Sequence, residues 1–207
     1  MSLRKLGYVL LGSALTSELV YRLYLAGRSW WRLRSTKTME VIFFPDNSGT
    51  AIKSSVGGEG EAVETSGVGR LVRELRGVRS SLDLALYVFT CGRLAEEVAR
   101  CQERGVRVRL VTDPSMVEVA GSQVARLRAS GVGVVAGPRA GLMHHKFGVL
   151  DGRLVVSGSF NWTGKAVWAN CENLIICSEK GVVGGFQEEF QRLWGEEGGG
   201  GGRRGLA

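Results

Sequence analysis

Histidine is nearly absent from this chain: only two occur in 207 residues, His144 and His145, and they are adjacent. Any nucleophilic or acid–base work that imidazole performs near neutral pH is therefore confined to one place. Cysteine is almost as scarce. Cys91, Cys101, Cys171 and Cys177 form no C-x-x-C pair and stand apart from the histidines, which argues against a structural zinc site. They read as reduced, mostly buried thiols of a cytosol-facing protein. Acidic residues are missing almost entirely from residues 1–37, where seven basic side chains accompany a single acid, Glu18. That skew accounts for most of the formal charge of +7, because residues 38–195 carry 18 basic and 17 acidic side chains. A uniformly cationic surface is thereby excluded, and any groove for a polyanion must be a local arrangement of Arg and Lys.

One apolar run has about the length needed to span a bilayer, residues 6–26 (LGYVLLGSALTSELVYRLYLA). Glu18 and Arg22 interrupt it, but their i,i+4 spacing lets them pair while Arg22 extends outward. Arg28, Trp30, Trp31, Arg32, Arg34 and Lys37 follow, the aromatic and basic flank of a membrane interface. This flank is more positive than Arg4 and Lys5, so the sequence predicts an N-terminal anchor with the following domain on the cytosolic side. No small-residue cleavage site precedes the Trp-Trp-Arg run, which argues against a secretory signal; an amphipathic helix packed on the domain is the alternative. The expected organisation is an anchor with a basic juxtamembrane segment over 1–37, one domain over 38–195, and a disordered glycine-rich tail over 196–207.

Within the domain, residues 41–44 form a short β-type run stopped by Pro45, and 46–69 read as an exposed loop. Strand patterns at 82–89, 106–112 and 132–136 alternate with helical stripes at 68–78, 94–104 and 122–130. This β-α-β-α-β order predicts an α/β domain with a largely parallel sheet. Two further strands, 144–150 and 154–156, are joined by the tight turn Asp151-Gly152. A short helix starts near Asn161, a strand covers 172–177, and an amphipathic helix closes the domain at 182–194.

The densest chemistry lies in MHHKFGVLD (143–151) and GSFNWT (158–163). Strand alternation places His144 and Lys146 on one face and turns His145 to the other. An imidazole, an ammonium and the neutral donors Ser159 and Asn161 suit a phosphate group that must be held, neutralised and attacked. Gly158 would let the backbone approach such a phosphate closely. Asp151 has two readings, a member of the reactive set or a turn residue that fixes the hairpin by hydrogen bonds.

The spacing H-x-K-x4-D followed by G-S-x-N resembles the HKD signature of the phospholipase D superfamily. With MHHKF and GSFNWT it is similar to the superfamily's mitochondrial branch, the cardiolipin hydrolases or Zucchini endonucleases. The likeness extends through VIFFP, SLDLALYVF, RGVRVRLVTD, GSQVARLRASGV, ENLII and FQEEFQRLW. It implies a phospholipase D-like mixed, largely parallel sheet flanked by helices, with one HKD motif per chain. It also implies His144 as a nucleophile forming a phosphohistidine, and Lys146, Ser159 and Asn161 holding phosphate oxygens. Asp151 completes the motif, and Glu172 is the acid that orients the histidine. No metal or cofactor is implied. The mechanism needs a second histidine, which implies a homodimer with a composite site. Implied partners are single-stranded RNA, in PIWI-interacting RNA biogenesis, and cardiolipin or another anionic phospholipid, hydrolysed to phosphatidic acid at the mitochondrial outer membrane. Animal members usually carry a zinc-binding insertion after the first strand, whereas residues 46–69 contain neither Cys nor His. The alternative from another class is a catalytically idle scaffold on the mitochondrial surface, for RNA-processing or fusion partners.

Overall fold

The computed structural model describes residues 21–22, 38–45, 66–138 and 141–198. Apart from Tyr21 and Arg22, the expected anchor lies outside the described residues, as do most of the 46–69 loop and residues 199–207. Among the described residues no helix is long and apolar enough to cross a membrane. The chain divides into two compact units, Met1–Lys37 and Thr38–Ala207, and the description below concerns the second.

Its elements run in the order β1 (Met39–Phe44), α1 (Gly67–Gly77), β2 (Ser81–Leu86), α2 (Gly92–Glu103), β3 (Arg107–Thr112), α3 (Val124–Ala129), β4 (Gly133–Ala136), β5 (Lys146–Leu150), β6 (Leu154–Gly158), α4 (Gly164–Trp168), β7 (Glu172–Cys177) and α5 (Lys180–Gly198). All seven strands join one sheet in the order β1-β7-β6-β5-β2-β3-β4.

The mixed α/β class holds, but the sheet is mostly antiparallel rather than largely parallel. Only β2–β3 and β3–β4 pair parallel, each joined by a helical crossover. The other four pairings are antiparallel. The reason lies after β4. Residues 151–153 connect β5 to β6, with φ of 54° at Asp151 and 58° at Gly152. Arg153 N donates to Leu150 O at 2.9 Å. Such a tight turn with positive φ makes β5 and β6 antiparallel neighbours.

Helices cover both faces. Val68, Leu71, Val72 and Leu75 of α1 join Leu94, Val98, Val124, Leu127, Ala166 and Val167 in the larger core on one face. Ser66 opens α1 by accepting from Gly69 N at 3.1 Å, which satisfies one of its unpaired first-turn donors. On the other face Val183, Phe190 and Leu193 of α5 pack on Ala85, Val111, Phe147, Val149 and Val155. Asp83, fully buried at the base of that interface, accepts two bonds of 2.8 Å from Arg109 and one of 3.0 Å from Gln187. The guanidinium lies over the Phe190 and Trp194 rings, so the buried charge is paired and its carrier packed. The helix α5 starts before and ends after the expected 182–194, taking in Glu196–Gly198 from the expected tail.

Candidate active site

The register brings five chain ends to one edge of the sheet. Lys146 opens β5 opposite Leu86, the last residue of β2. Phe147 pairs with Ser157 near the end of β6, Gly158 pairs with Leu174, and Glu172 opens β7 opposite Phe44, the end of β1. This is also the carboxyl edge of the parallel strands β2 and β3, where open α/β sheets bind ligands.

His144 is exposed just before β5, which starts at Lys146 rather than at His144. The backbone is already committed, because Tyr87 N donates to His145 O at 2.8 Å. The expected parity therefore holds. The His144 ring meets Tyr87 edge-on at 4.7 Å, and the Lys146 ammonium lies 5.2 Å from the centroid of the same Tyr87 ring. His145 turns to the opposite face, where it meets Phe147 at 5.4 Å and its Nε2 lies 3.2 Å from Glu189 of α5. Lys146 Nζ donates to the His144 carbonyl at 2.7 Å, so the ammonium is tethered beside the imidazole. Burial pulls its pKa below the ordinary lysine range, with the Glu172 carboxylate acting in the opposite sense.

Across the site, alternate residues of GSFNWT are sorted by the core. Phe160 stacks on Phe44 at 4.4 Å and Trp162 meets Phe89 edge-on at 5.3 Å. Ser159, Asn161 and Thr163 are the residues between them, and Thr163 caps α4 by accepting from Ala166 N at 3.1 Å. Ser159 donates to Glu172 and accepts from Asn173 N at 3.1 Å. Asn170 holds the other Glu172 oxygen at 2.9 Å. Glu172 thus spends its hydrogen bonds on Ser159 and Asn170 and makes none with His144 within the chain. Gly158 is required for a reason different from the expected phosphate approach. A Cβ there would lie 2.1 Å from the Asn173 carbonyl oxygen. The bare backbone lets β6 close on β7 and brings Ser159 to Glu172. The Asn161 Oδ1 is buried without a hydrogen-bond partner. Turning that amide over places its Nδ2 there, a donor suited to an anionic oxygen.

Asp151 is not in this cluster. It lies at the far end of β5, about 16 Å from Lys146 by strand rise. Its carboxylate accepts from Arg79 N at 3.1 Å, Ser80 N at 2.7 Å, Ser80 Oγ at 2.8 Å and Ser81 N at 3.1 Å. Burial works to raise its pKa, but the hydrogen bonds from Ser80, Ser81 and Arg79 outweigh it and hold the carboxyl below its ordinary range. Of its two sequence readings, the structure places it as the turn brace.

Asp113 is the site residue that sequence reasoning passed over. Buried directly after β3, it accepts from Met143 N at 3.0 Å and from Ser115 N and Oγ at 2.9 and 2.5 Å. Met143 is the neighbour of His144, so the carboxylate fixes the segment that presents the imidazole. Burial works to raise the Asp113 pKa, but the Ser115 and Met143 bonds and the charge of nearby His144 bring it below its usual range. The available signal was an Asp-Pro-Ser turn at the carboxyl end of an apolar strand.

Comparison with known proteins matches residues 71–194 to the family model described as a cardiolipin synthase, phospholipase D-like domain. A mitochondrial cardiolipin hydrolase of Xenopus laevis is 38% identical over 197 residues, covering 93% of this chain and 90% of that protein. Those of Xenopus tropicalis and Homo sapiens are each 43% identical, over 63% and 62% of this chain. The chain spans 62% and 51% of the length of these two, under two thirds of either. Among solved structures, a phospholipase D family member, Nuc of Salmonella typhimurium, superposes with a TM-score of 0.64 at 22% identity, over 78% of this chain and 97% of that one. NucT of Helicobacter pylori gives 0.65 at 19% identity, over 78% and 98%. At these identities the structural likeness speaks for the fold.

Proposed function

Since the chain belongs to the phospholipase D superfamily, among the mitochondrial cardiolipin hydrolases, we propose that it is a metal-independent phosphodiesterase acting through a phosphohistidine, with an anionic phospholipid such as cardiolipin as substrate. The observation that carries this is the convergence of an exposed imidazole, a tethered ammonium and a serine hydroxyl at one sheet edge. In this reading a lone pair of the His144 ring attacks phosphorus, a P–N bond forms, and the P–O bond to the leaving alcohol breaks. Lys146 and Asn161 hold the non-bridging oxygens where negative charge develops, and Ser159 joins them when its hydroxyl turns from Glu172 to the phosphate. Asp113 positions His144 through the backbone N–H of Met143.

The leaving oxygen needs a proton, and water must later be deprotonated to break the P–N bond and release phosphatidic acid. Such acid–base help is worth roughly 10²–10⁴-fold. His145 faces Glu189 on the opposite side of the sheet. This supports a second His144, supplied by another copy across a two-fold axis, as the acid and base. Both Glu172 oxygens are engaged within the chain, Oε2 by Ser159 and Oε1 by Asn170, so Glu172 braces the serine donor.

Single-stranded RNA, implied by the sequence resemblance, would be cleaved by the same chemistry to leave a 5′-phosphate, and it forms the second arm of the test. Purified full chain is incubated with cardiolipin vesicles and separately with labelled single-stranded RNA, both with chelator. Release of phosphatidic acid, lost in His144→Ala, is the expected result. RNA cleavage alone moves the substrate assignment to RNA. Activity on neither, or activity unchanged in His144→Ala, overturns the enzyme reading in favour of a scaffold.

A further inference from the structure

The segment that follows β2, residues 87–91, lies outside the motif and yet is fastened to both halves of the site. Its first residue is bonded to the histidine pair, since Tyr87 N donates to His145 O at 2.8 Å. Its last two are bonded to GSFNWT: Thr90 N and Cys91 N donate to Trp162 O at 3.0 and 2.9 Å. Between them Phe89 is buried against the Trp162 ring at 5.3 Å. The end of β3 closes the bracket. Thr112, fully buried, donates to Tyr87 O at 3.1 Å, and the next residue, Asp113, accepts from Met143 N at 3.0 Å. Both main-chain polar groups of Tyr87 are therefore held. A tyrosine has only two χ angles, so a fixed backbone leaves its ring few positions.

That ring, half-buried, meets the two groups on which phosphate chemistry depends. The His144 imidazole packs against it edge-on, with centroids 4.7 Å and planes 60° apart. Lys146 Nζ lies over the ring, 5.2 Å from its centroid. This is inside the roughly 6 Å within which the negative face of an aromatic ring attracts a cation. The orientation of a reactive imidazole is ordinarily set by a hydrogen bond to one ring nitrogen. Here the carboxylates whose charge reaches His144 and Lys146 are spent elsewhere. Glu172 is bonded to Ser159 and Asn170, and Asp113 to Met143 and Ser115. Among the described residues the His144 ring makes no hydrogen bond, and the aromatic ring it meets is that of Tyr87.

Resting on the phosphodiesterase reading above, we propose that Tyr87 is a positioning residue of the reaction: its clamped ring sets the angle at which the His144 imidazole meets phosphorus and holds the Lys146 ammonium beside it. The ring performs this work and the hydroxyl does not, because both contacts are made with the aromatic system. A phosphate seated against Lys146 then meets an imidazole already turned toward it, and no reorientation is needed at the moment of attack. Burial drives the Lys146 ammonium toward its neutral form, while the Glu172 carboxylate and the face of Tyr87 pull the other way.

The test compares the full chain as wild type, Tyr87→Phe, Tyr87→Leu, and with a pentafluorophenyl ring at position 87. That last ring keeps the shape of Phe and reverses the charge of its face. Hydrolysis of a soluble chromogenic phosphodiester gives kcat and KM as a function of pH. Isotope-labelled lysine gives the Lys146 titration midpoint by NMR, its resonance assigned by its loss in Lys146→Arg. Tyr87→Phe is the conservative rescue and should keep kcat within about 2-fold of wild type. Tyr87→Leu should lower kcat by about 10-fold or more with KM within about 2-fold, as a misaligned nucleophile does. Relative to Tyr87→Phe, the fluorinated ring should lower the Lys146 midpoint by about half a pH unit and move the alkaline limb of kcat with it. Equal losses in Tyr87→Phe and Tyr87→Leu give the role to the hydroxyl and overturn the proposal. A fluorinated ring indistinguishable from Phe overturns it as well, whether or not Tyr87→Leu folds. Hydrolysis unchanged in every variant removes Tyr87 and leaves the phosphodiesterase standing. Absence of hydrolysis by wild type, with the midpoint shift intact, removes the phosphodiesterase reading and leaves the ring's hold on the ammonium established.

Discussion

The two ends of strand β5 carry the two halves of one sequence motif and treat polar groups in opposite ways. At the Asp151 end a carboxylate accepts three backbone N–H groups and a hydroxyl, and nothing is left over. At the Lys146 end an imidazole stands exposed, with no hydrogen bond to its ring among the described residues, and the Asn161 Oδ1 is buried without a partner. Satisfied polar groups stabilise a fold; groups left waiting mark where a ligand completes the network. The contrast divides H-x-K-x4-D into an end left open to a ligand and an end closed as architecture, held in register by five residues of strand.

Four measurements would break or sharpen this contrast. The largest effect is expected from His144→Ala, which should cut phosphodiester turnover roughly 10⁴-fold or more, as removal of a nucleophile does. His145→Ala should stay within several-fold and, losing a half-exposed pair with Glu189 and an edge contact with Phe147, should cost about 1 kcal/mol in denaturant unfolding. Equal losses in the two would erase the division between the histidines. Next, Gly158→Ala should destabilise the domain by about 3 kcal/mol or more, because the added Cβ must displace the Asn173 carbonyl. A folded variant with unchanged melting temperature would show that the β6–β7 approach is not needed. Third, Asp151→Ala should cost about 2–3 kcal/mol in stability while turnover per folded molecule remains near wild type. Loss of turnover without loss of stability would return Asp151 to the reactive set. The carboxyl pKa of Asp151 is depressed on folding, so its contribution is present above about pH 4 and fades as pH falls through the lower folded value. The stability gap between wild type and Asp151→Asn should therefore narrow in acid. The smallest effect is a displacement. With the Lys146 pKa lowered by burial, activity should decline with rising pH before the ordinary lysine range near about 10.4 is reached. Lys146→Arg, charged throughout, should lack that alkaline limb even at a reduced rate.

The legible parts were those governed by local rules. Alternation separates His144 from His145 because the backbone is extended on both sides of them, even though the regular strand begins later. The apolar stripe of α1 and the Asp-Gly turn were readable for the same reason. Pairing order was not. The helices between β2, β3 and β4 announce a parallel trio, but nothing near residue 146 says that β5 will lie against β2, some sixty positions earlier in the chain. The parallel expectation failed on that insertion. Asp113 was hidden in the same way, since its carboxylate serves a backbone N–H thirty residues on. Gly158 reads in sequence as a point where the backbone approaches a phosphate, whereas the group it meets in the fold is the chain's own Asn173 carbonyl.

The pairing of β1 along its whole length with β7, six residues against six, has a mechanical consequence. Traction applied at Thr38 pulls β1 lengthwise, so the load falls on all six pairings in shear instead of opening them one by one from an end. The strand that carries the load starts at Glu172, the residue bonded to Ser159. Tension entering at Thr38 would therefore meet six pairings together before the far end of the margin, where Phe44 lies opposite Glu172.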